Sequence, residues 1–96
     1  MKIVELRPGM RRVEITGKIV EKSETRQVTT RFGDASRVAT AVLQDESGTV
    51  KLSLWNEAID QVNVNDTVKI ENGYVTTFRG ETQLNVGRYG TINVVS

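Results

Sequence analysis

Apolar and polar residues alternate without a break along residues 49–55 (TVKLSLW), and this period of two constrains the fold more than any other feature. Such alternation predicts a β-strand with one face buried and the other in solvent. A chain of 96 residues buries only a modest core, so its strands must close on one another or pack tightly. Four other segments show strand patterns of the same kind, at residues 13–28, 37–45, 67–77 and 81–86.

Turn-forming residues separate these segments. Residues 46–48 (ESG) predict a tight hairpin between the second and third strands, because glycine supplies the positive φ that such turns need. Residues 29–36 (TTRFGDAS) are typical of a loop, and residues 88–90 of a turn before a short edge strand over 91–95. Gly17 lies inside the first segment, where glycine predicts a bend.

A short helix is predicted before the fourth strand, since apolar residues there have helical spacing. A bent first strand can serve both halves of a closed barrel. We therefore expect an all-β fold forming one domain over residues 1–96, a five-stranded Greek-key barrel of the OB type with a short helical turn between strands 3 and 4. An SH3-like barrel or a small sandwich is the alternative. The residues with helical spacing are Trp55, Ala58, Ile59 and Val62.

The composition excludes several classes of function. The chain has no histidine and no cysteine, which excludes disulfides, zinc sites of the Cys/His kind and catalysis by a cysteine nucleophile or a histidine base. The carboxylates are scattered and no glycine loop for phosphate is present, so we expect no enzyme, no cofactor and no small-molecule substrate. No apolar run approaches the ~18 residues of a membrane helix, and a secretory signal is not expected. The predicted location is the cytoplasm, in association with the nucleoid.

Parity along residues 49–55 places Trp55 on the outer face. Because Leu54 points inward with the aliphatic set, Trp55 shares its face with Lys51 and Ser53. A large ring beside a lysine and a serine is unusual for a solvent face. This arrangement predicts that Trp55 contacts a ligand.

Tyr74 joins this face only if the fourth strand has an irregularity. Strict alternation from Ile70 would place Tyr74 in the core. A bulge at Asn72-Gly73 adds one residue and reverses the parity, which turns Tyr74 outward and Val75 inward. We take this bulge as a hypothesis, and an unbroken ladder through Gly73 would contradict it.

Phe78 lies at the tip between the fourth and fifth strands. Its ring either folds back on the end of the barrel or stacks on a ligand base, with Arg79 beside it for phosphate. Unpaired bases expose flat π faces, so rings on one face together with cations predict a single-stranded nucleic acid as ligand. Gln83 and Asn85 are either hydrogen-bonding partners of base edges or ordinary polar residues of a solvent face. The cations available for phosphate are Arg26, Arg31, Arg37, Lys51 and Arg79.

The sequence resembles the simple crenarchaeal single-stranded DNA-binding proteins, which are similar to replication protein A domains. The resemblance implies a single OB domain whose DNA-stacking aromatics are Trp55, Tyr74 and Phe78. It also implies binding without sequence specificity, protection of single-stranded DNA in replication, repair and recombination, and replication or repair proteins as partners. The stretches that carry it are residues 6–10 (LRPGM), 45–52 (DESGTVKL), 54–55 (LW), 68–74 (VKIENGY), 78–80 (FRG) and 83–85 (QLN).

Two alternatives stay open. Single-stranded RNA is one, because no reader of the 2′-hydroxyl group is evident in the sequence. The other is an OB-fold adaptor that binds protein in a larger complex, which a low net charge of +1 and exposed aromatics would also suit.

Overall fold

A computed structural model of the chain describes residues 1–29 and 32–95, and gives the backbone alone within residues 87–89. A 3-10 turn, Ile3–Glu5, precedes the first strand. The elements that follow are β1 (Val13–Lys22), β2 (Arg26–Thr29), β3 (Ala35–Asp45), β4 (Gly48–Trp55), α1 (Glu57–Gln61), β5 (Thr67–Phe78) and β6 (Glu81–Val94).

Five of the strands close into a ring in the order β1-β5-β6-β4-β3, and β3 pairs back with β1. The pairing of β4 with β6 is parallel, and the others in the ring are antiparallel. The short β2 pairs with the beginning of β3, on the edge that β1 uses further along. This ring confirms the predicted five-stranded barrel and the hairpin between β3 and β4.

The first strand serves both halves of the barrel. Lys18 is opposite Thr67 of β5 and also opposite Gln44 of β3. At the preceding residue, a Cβ on Gly17 would lie 2.8 Å from the carbonyl oxygen of Gln44. Glycine is therefore required here because two backbones approach closely where the strand changes partners.

Two predicted boundaries were wrong. The first strand ends at Lys22 rather than continuing to residue 28, and Ser23 then donates its N–H to the carbonyl of Thr40 and accepts the Thr40 N–H on its hydroxyl. This side-chain hydrogen bond replaces a rung of the ladder and ends the regular pairing. The predicted turn at residues 88–90 is part of β6, which is continuous in the backbone because its register with β5 shifts instead of breaking.

The core is aliphatic, and a short helical element closes each end. Ile3 is buried in the 3-10 turn, and its N–H donates to Asp45 Oδ2 at 2.8 Å, beside the hairpin between β3 and β4. At the other end of β4, α1 buries Ile59, and the Lys22 ammonium donates to the carbonyls of Ile59 and Val62. A cation at the C-terminus of a helix satisfies carbonyls that have no partner within the helix. The predicted helical turn before β5 is therefore confirmed.

Candidate nucleic-acid interface

On the outer face of β4, β6 and β5, side chains of neighbouring strands lie side by side in rows that run across the strands. The parallel pairing of β4 with β6 and the antiparallel pairing of β6 with β5 place equivalent positions side by side. Side chains at directly opposed positions lie on the same face of a sheet. The two rows that result are Ser53–Asn85–Tyr74 and Lys51–Gln83–Thr76.

Trp55 lies at one end of this face. Its side chain is 40% exposed, whereas Leu54 before it is fully buried, as the alternation predicts. On the side of β3, Trp55 is opposite Val38, and Val38 is opposite Arg26 of β2. Arg26 therefore lies on the same face as Trp55, two strands away.

A bulge at Asn72 turns Tyr74 outward. Residues 13 and 15 of β1 are opposite residues 73 and 70 of β5, so two residues of β5, Glu71 and Asn72, face a single residue of β1. Asn72 has a positive φ of 58°, the left-handed conformation that asparagine tolerates better than most residues. Tyr74 is 39% exposed and Val75 is buried, so the bulge hypothesis is confirmed.

Phe78 and Arg79 form the far end of the face. Phe78 closes β5 and is 60% exposed, so its ring does not fold back into the barrel. The tip of the hairpin has two positive φ values in succession, 52° at Arg79 and 81° at Gly80. The Arg79 guanidinium lies over the Phe78 ring, 5.3 Å from the ring centre, in a cation–π contact.

Asn85 forms the floor between these rings. It is buried, and its amide nitrogen donates to Thr76 Oγ1 at 3.0 Å and to the carbonyl of Gln83 at 3.3 Å. Both amide protons of Asn85 therefore have partners within the protein. Of the two polar residues on this strand, the half-buried Gln83 is the one whose amide is the better placed for a ligand.

The predicted cations differ in their surroundings. Lys51 is exposed on the face itself, and Arg26 is exposed on the same side of the sheet as Trp55, two strands away. Arg37 donates to Asp60 of α1 at 3.2 Å, which directs it toward the helix. Among the ion pairs of residues 1–29 and 32–95, none includes Lys51, Arg26 or Arg79. Arg31 lies outside the described residues.

A cleft of about 690 Å³ opens beside Trp55 and Tyr74, and the sequence did not reveal it. Residues of α1 form one wall, and the last part of β6 forms the other. The wall formed by β6 depends on the shift of its register against β5 at Asn72. No residue pattern within β6 predicts that shift. The lining residues are Trp55, Asn56, Glu57, Ala58, Gln61, Tyr74, Val86, Gly90, Thr91, Ile92 and Asn93.

Within the described part of the chain, no group of carboxylates is arranged to hold a metal ion. None of the helices described there has the length and apolar character needed to cross a membrane.

Comparison with known proteins agrees with this geometry. A family model described as "Single-stranded DNA binding protein Ssb-like, OB fold" matches residues 6–94, and the chain therefore belongs to this family of OB-fold proteins. Members of the family are DNA-binding proteins without enzymatic activity, which confirms the prediction that the chain is not an enzyme.

Two curated relatives extend the comparison. The single-stranded DNA binding protein Ssb of Saccharolobus solfataricus is 40% identical over 86 residues, which cover 90% of this chain and 57% of the relative. Replication factor A of Methanothermobacter thermautotrophicus is 32% identical over 101 aligned positions, which cover 99% of this chain and 13% of the relative. The chain thus spans just over half of the first relative and a small part of the second.

Solved structures share the fold. The OB domain of Ta0387 from Thermoplasma acidophilum superimposes with a TM-score of 0.86 at 24% identity, covering all of this chain and 86% of that one. The second OB-fold domain of replication protein A from Methanococcus maripaludis gives a TM-score of 0.83 at 24% identity, covering all of this chain and 94% of that one.

Proposed function

We propose that this chain binds single-stranded DNA without strong sequence preference by stacking bases on Trp55, Tyr74 and Phe78. The observation that carries the proposal is the exposure of these three aromatic residues on one face of the barrel. Each of them is 39% or more exposed, whereas the core is aliphatic. Exposed rings cost free energy in water, and a base offers each of them a flat partner worth ~1–3 kcal/mol. The names of the relatives support the same ligand.

The spacing of the rings suits an extended strand. Ser53 is in the same row as Tyr74, two strands away, and Trp55 is two residues further along β4. The Trp55 and Tyr74 positions are therefore about 12 Å apart. Phe78 is four residues from Tyr74 along β5, which gives about 13 Å. Rings at these intervals suit alternate bases, so we expect a site of about five nucleotides, near the lower end for one OB fold.

Cations beside the rings contact the phosphates in this proposal. Lys51 lies between the rings, Arg79 lies beside Phe78, and Arg26 lies two strands from Trp55 on the same face. With so few cations, binding involves roughly two to four phosphates and depends only shallowly on salt. Arg37 first has to release Asp60 before it contacts DNA. Protection of exposed strands in replication, repair and recombination, with proteins of those processes as partners, is the cellular role that we propose.

The proposal is tested by fluorescence anisotropy of a labelled oligo-dT of about eight nucleotides at low salt. We expect Trp55→Ala to weaken binding by ~1–3 kcal/mol and Trp55→Phe to retain most of the affinity, because phenylalanine still stacks. Val64→Ala is the matched control, since Val64 is 45% exposed in the segment before β5 and lies off the aromatic face.

The same titration separates the alternatives. Equal affinity of wild type and Trp55→Ala would contradict stacking, and loss of most of the stability in Trp55→Ala would show that Trp55 is a core residue. An oligo-rU of equal length measures the preference between DNA and RNA. Failure of the wild-type protein to bind either strand at concentrations on the order of tens of micromolar would favour the protein adaptor.

A further inference from the structure

The cleft beside Trp55 is lined by polar groups that base stacking does not use. It extends from the rings of Trp55 and Tyr74 to α1 and the last part of β6, and its volume of about 690 Å³ is within the range of small-molecule sites. Ala58 and the buried Ile92 give it an apolar base. A cleft of this kind accepts a flat ring whose edge forms hydrogen bonds.

The polar residues of the cleft favour a neutral ligand over a phosphate. Asn56, Glu57, Gln61 and Asn93 line it, and none of the lining residues that the structure describes is a lysine or an arginine. The single charge among them is the Glu57 carboxylate. A carboxylate only accepts hydrogen bonds and repels phosphate, so the group that enters must carry N–H or O–H donors, and on the edge of a base these are N–H groups.

Asn56 has a defined orientation at the edge of the cleft. Its Oδ1 accepts the N–H of Arg37 at 3.0 Å, which leaves its Nδ2 as the group available to a ligand. An amide donor and a carboxylate acceptor are therefore contributed by consecutive residues, Asn56 and Glu57. The Watson–Crick edge of guanine has the complementary pattern, because the O6 acceptor stands beside the N1–H and N2–H donors.

We infer that the cleft is a subsite that reads the edge of one base stacked on Trp55 and prefers guanine there, while the bases on Tyr74 and Phe78 are bound without preference. The inference rests on the proposed function, since the base must first be delivered by a bound strand. Cytosine and adenine each offer the carboxylate a single amino group, and thymine offers one ring N–H between two carbonyls that the carboxylate repels. Only guanine presents two adjacent donors to Glu57 and an acceptor to Asn56.

The inference is tested with oligo-dT of about eight nucleotides that carries one central dG, dA, dC or deoxyinosine, by anisotropy of an end label. We expect the dG strand to bind about tenfold more tightly than oligo-dT, at the lower end of what a bidentate contact contributes. Deoxyinosine retains O6 and N1–H but lacks the amino group, so it should lose most of this gain. The dA strand stacks equally well and shows how much of any gain comes from a purine ring alone.

Glu57→Gln is compared with the control Glu21→Gln, which removes the same charge from an exposed residue of β1 that does not line the cleft. Glu57→Gln should abolish the dG preference and slightly strengthen oligo-dT binding, whereas Glu21→Gln should retain the preference. A dG strand that binds within twofold of oligo-dT and dA, or a preference that survives Glu57→Gln, would overturn the inference while leaving the proposed function intact. Absence of oligo-dT binding by the wild type would overturn both.

Discussion

Asn56 and Arg37 are joined by two hydrogen bonds: the Asn56 N–H donates to the Arg37 carbonyl at 2.9 Å, and Asn56 Oδ1 accepts the Arg37 N–H at 3.0 Å. Asn56 adopts φ 50° and ψ −118°, a combination that residues with a Cβ rarely adopt. Because Asn56 directly follows Trp55, this pair fixes the end of the strand that carries the tryptophan. A strained residue held by its neighbours at such a place is typical of a functional site.

We expect Asn56→Ala to lower the free energy of unfolding by about 0.5–1.5 kcal/mol, since the Arg37 N–H loses an exposed hydrogen bond and the strain stays. The affinity for oligo-dT should also fall, because the end of β4 loses its fixed position. Asn56→Asp keeps an acceptor at the same place and should remain close to wild type. Urea unfolding with Asn63→Ala as the exposed control checks this, and equal stability of the two alanine variants would contradict it.

Tyr74 and Val75 are neighbours with opposite exposure, which gives a paired test of the bulge. Tyr74→Ala should weaken oligo-dT binding by ~1–3 kcal/mol with little change in stability. Val75→Ala should lower stability by about 1–3 kcal/mol with an intact binding face, because it removes buried methyl groups. Urea unfolding and anisotropy measure the two properties, and the opposite assignment of effects would show that Tyr74 is in the core.

Arg79 covers Phe78 and is also the proposed phosphate contact at that end of the face. Arg79→Ala should reduce the slope of log affinity against log salt by about one. Lys18→Ala removes an equal charge from an exposed residue of β1 that is opposite Thr67, at the far end of β5 from Arg79, and should leave the slope unchanged. The prediction fails when both variants change the slope alike.

The Asp45 carboxylate accepts a hydrogen bond from the 3-10 turn that closes one end of the barrel, so protonation of Asp45 affects stability in acid. Desolvation raises the pKa of its carboxyl, but hydrogen bonds from the Ser47 hydroxyl and from the N–H groups of Ile3, Ser47 and Gly48 outweigh this and hold the pKa below its ordinary 3.8. The ionised group is therefore favoured in the folded state. Its contribution to stability is fully present above pH 3.8 and is lost as the pH falls through the lower folded pKa.

Urea midpoints measured between about pH 6 and about pH 2 should therefore decline at the acid end in wild type. The decline should be smaller in Asp45→Asn, which does not titrate, and unchanged in the control Glu46→Gln on the same hairpin. An equal acid decline in wild type and Asp45→Asn would contradict the role of Asp45.

Local pattern predicted the parts of the fold in which sequence neighbours are also structural neighbours. Alternation placed Trp55 outside and Leu54 inside, and residues 46–48 gave the hairpin between β3 and β4. The bulge at Asn72 followed from parity, because only an extra residue lets Ile70 and Val75 both point inward. In each case the signal lies within a few residues of the feature.

The features that the sequence did not predict depend on distant pairings. The end of β1 depends on a hydrogen bond between Ser23 and Thr40, and the continuity of β6 on a shift of register against β5. Arg37 resembled the other basic residues in sequence until the fold brought Asp60 beside it. The cleft joins Glu57 to Asn93, which only the closed ring places together.

The most direct test of base stacking is the intrinsic fluorescence of the protein, since Trp55 is its only tryptophan. We predict that adding oligo-dT at low salt quenches this fluorescence to saturation, with a stoichiometry of about five nucleotides per chain. Fluorescence that stays unchanged up to concentrations on the order of tens of micromolar would contradict stacking on Trp55.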